Sequence, residues 1–529
     1  MTETNHKYIL AIDHGTSAVK PAIVSTYGEV IGWESEPCHV LLKAGGGAEQ
    51  DPAEWWSALV KATRRLLSRQ LVPVDKIVAV SNTSQWSGIV AVGANGKPLM
   101  NSVIWMDTRG APYVDRMFHG VINISGYGVL NILRWLRKTG GIPSHSGKDP
   151  IGHILFIKHE HPRVYKETRQ FLEPTDYINL QLTGQSAASF ASVQLYWMTN
   201  IRDINNVHYE DGLIKRLGID KAKLPPLKSS TDVLGIIRKD VADEFGLNRD
   251  VKVMVGAGDL HSAIVGSGAV RDYEGHVYIG TSSWVICHVP YKKTDISHNM
   301  ASVPSAIPGR YFIADEQESA GACLTFLRDR LFYPDDATRC GNNQVYQEFD
   351  HVVEDVAAGS GKVIFTPWLY GERTPVEDHT VRGAFHNLSL SVNRGQLIRA
   401  VFEGVAYNSR WVLDAVEKFI KQRMDSLNII GGGAQSDVWC QIYADVLNRT
   451  IRRVYQPLQA NARGAAFIAA VGMGYITVND IPKLIRISKV FKPNPRHRQV
   501  YDELYGEFLN VYKANKTMYQ RLNRFSPVQ

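Results

Sequence analysis

Apolar runs that end in small polar turns recur along this chain and predict an α/β fold. In the central stretch the run Val251–Val255 ends at a glycine-rich turn, and Asp259 follows directly. A second run, His276–Ile279, passes through Gly280-Thr281-Ser282 into a third run, Trp284–Val289. Short apolar runs bounded by glycine and small polar residues are typical of buried strands. We therefore predict three strands here, with polar groups gathered at the turns.

The same pattern occurs at the N-terminus. There the run Tyr8–Ile12 leads through Asp13 and the turn Gly15-Thr16-Ser17 into a second apolar run that carries Lys20. The two copies of the pattern, half a chain apart, suggest two related α/β domains that face each other across a cleft. A tight Gly-Thr-Ser turn offers backbone N–H groups and hydroxyls to one anionic group, which suits a phosphate. A nucleotide would then lie between the two turns.

Charged side chains near these turns are candidate ligands. A carboxylate just past a glycine-rich strand end, such as Asp259, lies where α/β folds bind their ligands. Lys20 could reach a phosphate, although a solvated strand lysine explains it equally well. Asp13 could hold the water shell of a Mg²⁺ ion, which usually takes only one or two carboxylates. Taken singly, such an aspartate is more commonly a helix N-cap and such a turn only a turn, so the hypothesis depends on the repetition.

Polar residues also follow two predicted strands of the first half. The run Ile77–Val80 leads to Gln85-Trp86-Ser87, and the run Ser102–Met106 ends at Asp107. An indole beside small polar groups suits a sugar or polyol, because the ring stacks on one face while the polar groups bind hydroxyls. A tryptophan of the hydrophobic core explains Trp86 equally well.

A glycine-rich turn in the last third of the chain is a further candidate. The predicted strand Leu427–Ile430 runs into Gly431-Gly432-Gly433, which is followed by Ala434 and Asp437. Three glycines let the backbone approach a ligand closely, so a flat purine could lie against this turn. A tight turn without a ligand is the alternative.

Helical patterns separate these strands. Asp51, Pro52 and Glu54 predict a helix start, with Asp51 as N-cap, Pro52 at the first helical position and Glu54 completing a capping box. Further helices are predicted over Ser319–Phe332, Arg394–Phe419 and Val438–Leu447 and around Tyr501–Tyr512, and a loop over Arg339–Gln347.

Composition excludes several classes of protein. A chain of 529 residues with 44% hydrophobic and 21% charged residues is expected to form two or more globular domains. The net charge of +7 comes from lysines and arginines spread along the chain, so we expect small anionic ligands and no nucleic acid. No run approaches the roughly 20 apolar residues of a membrane span. Five scattered cysteines without a C-x-x-C motif indicate reduced thiols, and we expect a cytoplasmic protein that does not bind membranes.

The chain contains, in this order, the motifs AIDHGTS, QDPAEWW, SQWSG, IWMDTR, VGAGD, YIGTS, FTPWLYGERTP, FEGVAYN and IGGGAQSD. This ordered set resembles that of the FGGY family of carbohydrate kinases, and within it the xylulokinase pattern. The resemblance extends from about residue 7 to about residue 515. It implies two actin/hexokinase-like (ribonuclease H-like) domains, at 7–258 on the sugar side and 259–515 on the nucleotide side, with a deep cleft between them. It implies transfer of a phosphoryl group from ATP with Mg²⁺ to a sugar or polyol, foremost a ketose such as xylulose or ribulose, and it allows a homodimer.

The resemblance also implies roles for individual residues. Asp259 matches the catalytic base of the family, and Asp13 is the candidate metal ligand. The implied nucleotide residues are Gly15, Thr16, Ser17 and Lys20 in the first phosphate turn, Gly280, Thr281 and Ser282 in the second, Gly433, Ala434 and Asp437 in the adenosine turn, and Gly321. The implied substrate residues are Gln85, Trp86, Ser87, Asp107 and Asp259.

One departure from the family pattern concerns the substrate. Xylulokinases carry Met-His where this chain has Trp86-Ser87, and the Arg-Glu pair of glycerol kinases is missing as well. The resemblance therefore implies the type of reaction but not one sugar. The alternatives are a kinase for a non-sugar polyhydroxy acceptor, a non-catalytic nucleotide-binding regulator on the same fold, and an ATPase of the chaperone type.

Overall fold

Two mixed β-sheets organise the molecule. The computed structural model describes residues 6–124, 126–332 and 341–523. The main strands of the first sheet are β1 (Tyr8–His14), β2 (Ala18–Ser25), β3 (Val30–Trp33), β4 (Ile77–Ser84), β5 (Val233–Ile236) and β6 (Lys252–Met254), and the two-residue strands Glu36–Pro37 and Ala257–Gly258 pair with β2 and β4. Those of the second are β7 (Gly275–Ile279), β8 (Ser283–Val289), β9 (Thr294–Asp295), β10 (Met300–Pro304), β11 (Tyr311–Ala314), β12 (Ser426–Ile430), β13 (Thr450–Val454) and β14 (Ile487–Phe491).

The two sheets repeat one topology. The first has the order β5-β6-β4-β1-β2-β3, in which β1, β2 and β3 form an antiparallel meander and β4 and β6 run parallel to β1. The second has the order β9-β10-β11-β8-β7-β12-β13-β14, in which β7, β8 and β11 form the meander and β12 and β13 run parallel to β7. An antiparallel strand, β5 or β14, follows the parallel pair in each sheet. This duplication confirms the predicted actin/hexokinase-like fold.

Helices cover both sheets. The first half of the chain contains α1 (Pro52–Ser68), α2 (Ala111–Phe118), α3 (Val129–Thr139), α4 (Pro150–Glu160), α5 (Pro162–Glu167), α6 (Pro174–Thr183), α7 (Asp211–Leu217) and α8 (Lys239–Phe245). The second half contains α9 (Asp259–Gly266), α10 (Gly321–Phe326), α11 (Gly341–Glu354), α12 (Arg394–Ile420), α13 (Asp437–Leu447), α14 (Ala460–Gly472), α15 (Ile481–Leu484) and α16 (Arg498–Leu522). We call the first sheet with α1–α8 the first lobe and the second sheet with α10–α13 the second lobe.

Helices α9 and α14 pack together at the centre of the molecule. Glycines form their contact: a Cβ atom on Gly464 would lie 1.8 Å from the carbonyl oxygen of Ser262, and one on Gly266 would lie 1.8 Å from that of Ala460. Helix α14 also lies against the first sheet, where the hydroxyl of Ser81 donates to the carbonyl of Ala465 over 2.7 Å. Because α14 packs against both α9 and the first sheet, it fixes the position of α9 and of its first residue relative to that sheet.

Most predicted elements are confirmed. Asp51 caps α1 by accepting from the Ala53 N–H at 2.8 Å. The predicted capping box is wrong, because the Glu54 carboxylate instead bonds to the His39 ring at 2.5 Å. The predicted strand Ser102–Met106 is wrong in length, since pairing extends only over Ser102–Val103.

The predicted loop Arg339–Gln347 is wrong where the structure describes it, since α11 begins at Gly341; residues 339 and 340 lie outside the described part. Val345, Phe349 and Val353 lie one helical turn apart, and all three are buried in the core of the second lobe. This spacing of four residues is the signal that identifies the helix.

The cysteines agree with the expectation of reduced thiols. The four that the structure describes, Cys38, Cys287, Cys323 and Cys440, are buried and free. Among the described helices, none is long and apolar enough to span a membrane.

Candidate active site

The two Gly-Thr-Ser turns occupy equivalent places in the two sheets. The first joins β1 to β2, and the Gly15 N–H donates to the Ala18 carbonyl at 3.0 Å to close it. The second joins β7 to β8, and the Gly280 N–H donates to the Ser282 carbonyl at 2.9 Å. Ser17 and Thr281 are the exposed residues of the two turns. Both turns can therefore present donors to an anionic ligand.

Gly321 lies against the second turn. Its N–H donates to the Gly280 carbonyl at 2.8 Å, and the neighbouring Ala320 N–H donates to the Thr281 carbonyl at 2.8 Å. A Cβ atom on Gly321 would lie 2.5 Å from the Gly280 carbonyl oxygen, so only glycine fits there without a backbone shift. The start of α10 and the second turn therefore form one rigid unit.

Asp259 is the first residue of α9, and its carboxylate accepts from the Leu260 N–H at 2.8 Å. The short strand Ala257–Gly258 pairs with β4 and fixes the approach of the chain. Burial and the neighbouring Asp13 carboxylate raise the pKa of Asp259 to about 8, although the side chain remains partly exposed. The pKa of Tyr278 on β7 is raised as well, mainly by burial and next by the Asp259 carboxylate. Asp259 therefore lies near the ends of both β1 and β7.

This raised pKa gives an expected pH dependence. If Asp259 acts as a general base, it must be unprotonated to accept a proton, and its reactive fraction then falls about tenfold per pH unit below its pKa of about 8. We expect kcat/KM, measured with both substrates far below their KM, to rise steeply from pH 6 and to level off above pH 8. A profile that is flat from pH 6 to pH 9 would contradict this.

Asp13 and Lys20 face each other at the first turn. The Lys20 ammonium lies 3.7 Å from the Asp13 carboxylate, which is 6% exposed. No group of three or more His, Cys, Asp or Glu side chains that could hold a metal occurs among the described residues. Mg²⁺ needs no such cluster, because it commonly binds through one carboxylate, waters and substrate phosphates. The oxygen donor and position of Asp13 fit this ion.

The residues that follow β4 are packed rather than free. The Gln85 side chain binds Thr16 of the first turn at 3.1 Å. Trp86 is buried, its indole donates to the Ser192 carbonyl at 2.8 Å, and its ring forms an edge-on contact with His261. A Cβ atom on Gly258 would lie 3.1 Å from the Trp86 ring, so this ring lines the approach to Asp259.

Ser87 and Asp107 are both held by neighbouring groups of the first lobe. The Ser87 hydroxyl donates to the Lys148 carbonyl at 2.8 Å, and its backbone has a φ of 69°, a strained value for serine. The Asp107 carboxylate is fully buried and accepts from Arg109 at 2.6 Å and from the Ala48 N–H at 2.8 Å. The structure therefore does not place the Asp107 carboxylate at an open surface, where a substrate hydroxyl could reach it.

The glycine-rich turn after β12 lies beside the end of β7. A Cβ atom on Gly433 would lie 2.4 Å from the Ile279 side chain, and Ala434 is buried. The Asp437 carboxylate forms ion pairs with Arg453 and Lys489, each at 2.5 Å. This turn is therefore next to the second Gly-Thr-Ser turn, while the Asp437 carboxylate is already paired.

A buried ionic cluster between the lobes was not predicted. The Lys148 ammonium of the first lobe lies 3.3 Å from the Glu318 carboxylate of the second lobe, and both side chains are buried. Arg373 pairs with Glu316 and, at 3.2 Å, with Glu318. Burial lowers the pKa of Lys148. The hydroxyl of Ser144 adds a hydrogen bond to Glu377 at 2.7 Å. The sequence signal that could have found part of this cluster is Arg373, a charged residue in a loop rich in proline and glycine.

The chain matches one family over most of its length. Residues 8–266 match the N-terminal domain of the FGGY family of carbohydrate kinases, and residues 275–473 match its C-terminal domain. The chain belongs to the FGGY family, and it is a sugar kinase that transfers a phosphoryl group to an alcohol.

Relatives with different acceptors in their names resemble the chain to similar degrees. It is 28% identical to a xylulose kinase of Staphylococcus epidermidis, over 96% of this chain and 97% of that protein. It is 27% identical to an autoinducer-2 kinase of Salmonella typhimurium, over 98% of this chain and 96% of that protein. The crystal structure of a gluconate kinase from Lactobacillus acidophilus matches with a TM-score of 0.85 at 25% identity, over 98% of this chain and 100% of that one. The comparisons therefore agree on the kinase and leave the acceptor to be tested.

Proposed function

We propose that this kinase transfers the γ-phosphoryl group of ATP to a hydroxyl of a neutral ketose such as xylulose or ribulose, with Asp259 as the general base. The position of the Asp259 carboxylate, near both Gly-Thr-Ser hairpins and with a pKa of about 8, supports this proposal most directly. A base poised near neutral pH is suited to accept a hydroxyl proton.

The step itself needs few groups. The acceptor hydroxyl oxygen forms a bond to the γ-phosphorus, the bond from that phosphorus to the β–γ bridging oxygen breaks, and the hydroxyl proton passes to Asp259. ADP leaves with the electron pair. Phosphoryl transfer depends mainly on in-line positioning and on charge stabilisation. The turns around Thr16 and Thr281 would hold the phosphates, and Lys20 would contribute a positive charge.

A magnesium ion fits the residues that are present. Asp13 would hold it through its water shell, and the ion would neutralise the developing charge on the β- and γ-phosphates. The adenosine would lie against the Gly433-Ala434 turn, with Gly321 supporting the second phosphate turn. The Asp437 carboxylate would act there through its ion pairs with Arg453 and Lys489.

The charges around the base favour a neutral acceptor over a sugar acid. Burial is the main cause of the raised pKa of Asp259, and the negative charges of Asp13 and Glu316 raise it further. The surroundings of the base therefore already carry negative charge. The two cations of the inter-lobe cluster, Lys148 and Arg373, are paired with Glu316 and Glu318. An acceptor carboxylate that bound to Lys148 or Arg373 would have to break those pairs. Trp86 would form the apolar wall of the acceptor site, with Ser87 beside it.

A panel of acceptors tests this proposal. Purified protein with Mg-ATP is assayed for ADP release with D-xylulose, D-ribulose, L-ribulose, glycerol and D-gluconate, and without an acceptor. We expect the largest kcat/KM with one of the ketoses, and a rate without acceptor at least about tenfold lower, because closure of the lobes excludes water. Preference for gluconate would contradict the charge argument. Equal rates with and without acceptors would support an ATPase, and nucleotide binding without turnover would support a regulator.

A cytoplasmic location and a homodimer stay predictions.

A further inference from the structure

A closed ring of hydrogen bonds joins the first phosphate turn to the end of β4. The Gln50 amide donates to the Thr16 carbonyl at 2.7 Å, and its oxygen accepts from the Gln85 amide at 2.6 Å. The Gln85 oxygen accepts from the Thr16 hydroxyl at 3.1 Å, which closes the ring. The Trp105 indole donates to the same hydroxyl at 2.9 Å. The side chains that hold Thr16 in this ring, Gln50, Gln85 and Trp105, all come from the first half of the chain.

The two glutamines of the ring lie in the core of the protein, while Thr16 and Trp105 are partly exposed. Gln50 is fully buried and Gln85 is 2% exposed. Gln50 ends the strand Gly47–Gln50, which pairs with the strand Ser102–Val103, and Trp105 lies in the turn two residues after that second strand. The Gln85 N–H also donates to the His14 carbonyl at the end of β1, at 2.8 Å. A buried polar network in which each member has its partners rigidifies the groups it connects.

The ring determines which donors the turn can offer. A hydroxyl has one proton to donate, and the Thr16 proton is directed at Gln85. The Thr16 hydroxyl proton is therefore not available to a phosphate while the ring is intact, whereas Ser17 is the exposed residue of the turn. The Gln85 amide donates one hydrogen bond to Gln50 and accepts one from Thr16, so its orientation is set by the turn and by Gln50.

We propose that Gln50, Gln85 and Trp105 are positioning residues that fix the Thr16 turn for the phosphates of ATP, and that Gln85 acts on the nucleotide rather than on the acceptor. This inference rests on the proposed kinase function. It changes the role of Gln85 from the acceptor contact that the sequence suggests, and it adds Gln50 and Trp105 to the residues on which phosphoryl transfer depends.

Replacement of Gln50 by methionine tests the ring. Gln50→Met keeps the length of the side chain and removes both hydrogen bonds. We expect the KM for ATP to rise and kcat to fall, each by about tenfold, because the turn is no longer held in position. The KM for the acceptor should stay within twofold of the parent value.

The chain offers a matched control for this substitution. Gln194 is also fully buried in the first lobe, donates to the Thr139 carbonyl at 2.7 Å and accepts from the Thr199 hydroxyl at 3.1 Å. Gln194→Met should therefore cost similar stability, because it leaves equivalent partners unsatisfied. We expect its kinetic constants to match the parent. If Gln194→Met changes the KM for ATP as much as Gln50→Met does, the ring has no specific role.

A binding measurement separates this inference from the kinase function. Calorimetric titration with Mg-ADP needs no acceptor and no turnover, and Gln50→Met should weaken Mg-ADP binding by about tenfold relative to Gln194→Met. Trp105→Phe removes only the indole donor to Thr16 and should weaken Mg-ADP binding less, by about a few-fold. Unchanged Mg-ADP affinity in Gln50→Met, or a rise confined to the acceptor KM, would overturn the inference. Absent acceptor-dependent turnover in the parent would instead overturn the proposed function.

Discussion

Asp259→Asn is expected to lower kcat by about 10³-fold or more while leaving the folded protein intact. An asparagine can keep the acceptor for the Leu260 N–H, but its amide cannot accept the proton of the sugar hydroxyl. The affinity for Mg-ATP should change little, since the proposed phosphate contacts come from the two Gly-Thr-Ser turns and Lys20 rather than from Asp259. The measurement is a steady-state assay of ADP release with the best acceptor of the panel. A variant that retains more than a tenth of the parent kcat would exclude Asp259 as the base.

The same substitution is expected to stabilise the protein. The pKa of Asp259 is raised from 3.8 to about 8 in the folded state, so between these pH values the folded state binds more protons than the unfolded state. Ionisation of Asp259 therefore costs stability as the pH rises through this range. Asp259→Asn removes that cost and should raise the apparent Tm at pH 8 by about 1–3 °C, with little difference at pH 4. A lower Tm at pH 8 would contradict the electrostatic argument.

Gly464→Ala is expected to have the largest effect on stability. The added Cβ atom would lie 1.8 Å from the Ser262 carbonyl oxygen, which belongs to the backbone of α9 and cannot rotate away. Helices α9 and α14 must separate, at a cost of about 3 kcal/mol or more. Because Asp259 is the first residue of α9, kcat/KM should fall as well. Denaturant unfolding and the standard kinetic assay measure the two effects.

Gly506→Ala is the control for this substitution. Gly506 is exposed in α16, and a Cβ atom there would have no neighbour within 4 Å. Alanine should stabilise the helix by about 0.5–1 kcal/mol and leave kcat/KM unchanged. If Gly464→Ala is as stable as Gly506→Ala, the close contact between α9 and α14 does not hold the site in place.

The repeated features of the fold could be predicted from the sequence. The runs before Gly15 and Gly280 are short, apolar and bounded by turn residues, and the structure confirms both as β-hairpins in equivalent sheets. The N-cap at Asp51 was predictable for the same reason, since it depends on neighbouring residues alone. Local signals of this kind need no knowledge of the tertiary structure.

The partners of the polar side chains could not be predicted. Asp107 follows a predicted strand, the position expected of a residue that binds the acceptor substrate. Its carboxylate instead accepts hydrogen bonds from Arg109 and the Ala48 N–H. Lys148 and Glu318 are 170 residues apart in sequence and meet only when the lobes come together. Such contacts depend on the packing of segments that are distant in sequence.

The most direct test of the proposed reaction is to measure both products in one sample. Protein, Mg-ATP and D-xylulose are incubated together, and ADP and the phosphorylated sugar are quantified over time. One phosphorylated sugar is expected for each ADP formed, with Asp259→Asn producing neither above background. ADP that accumulates without a phosphorylated acceptor, for xylulose and for every other member of the panel, would contradict sugar phosphorylation as the function of this site.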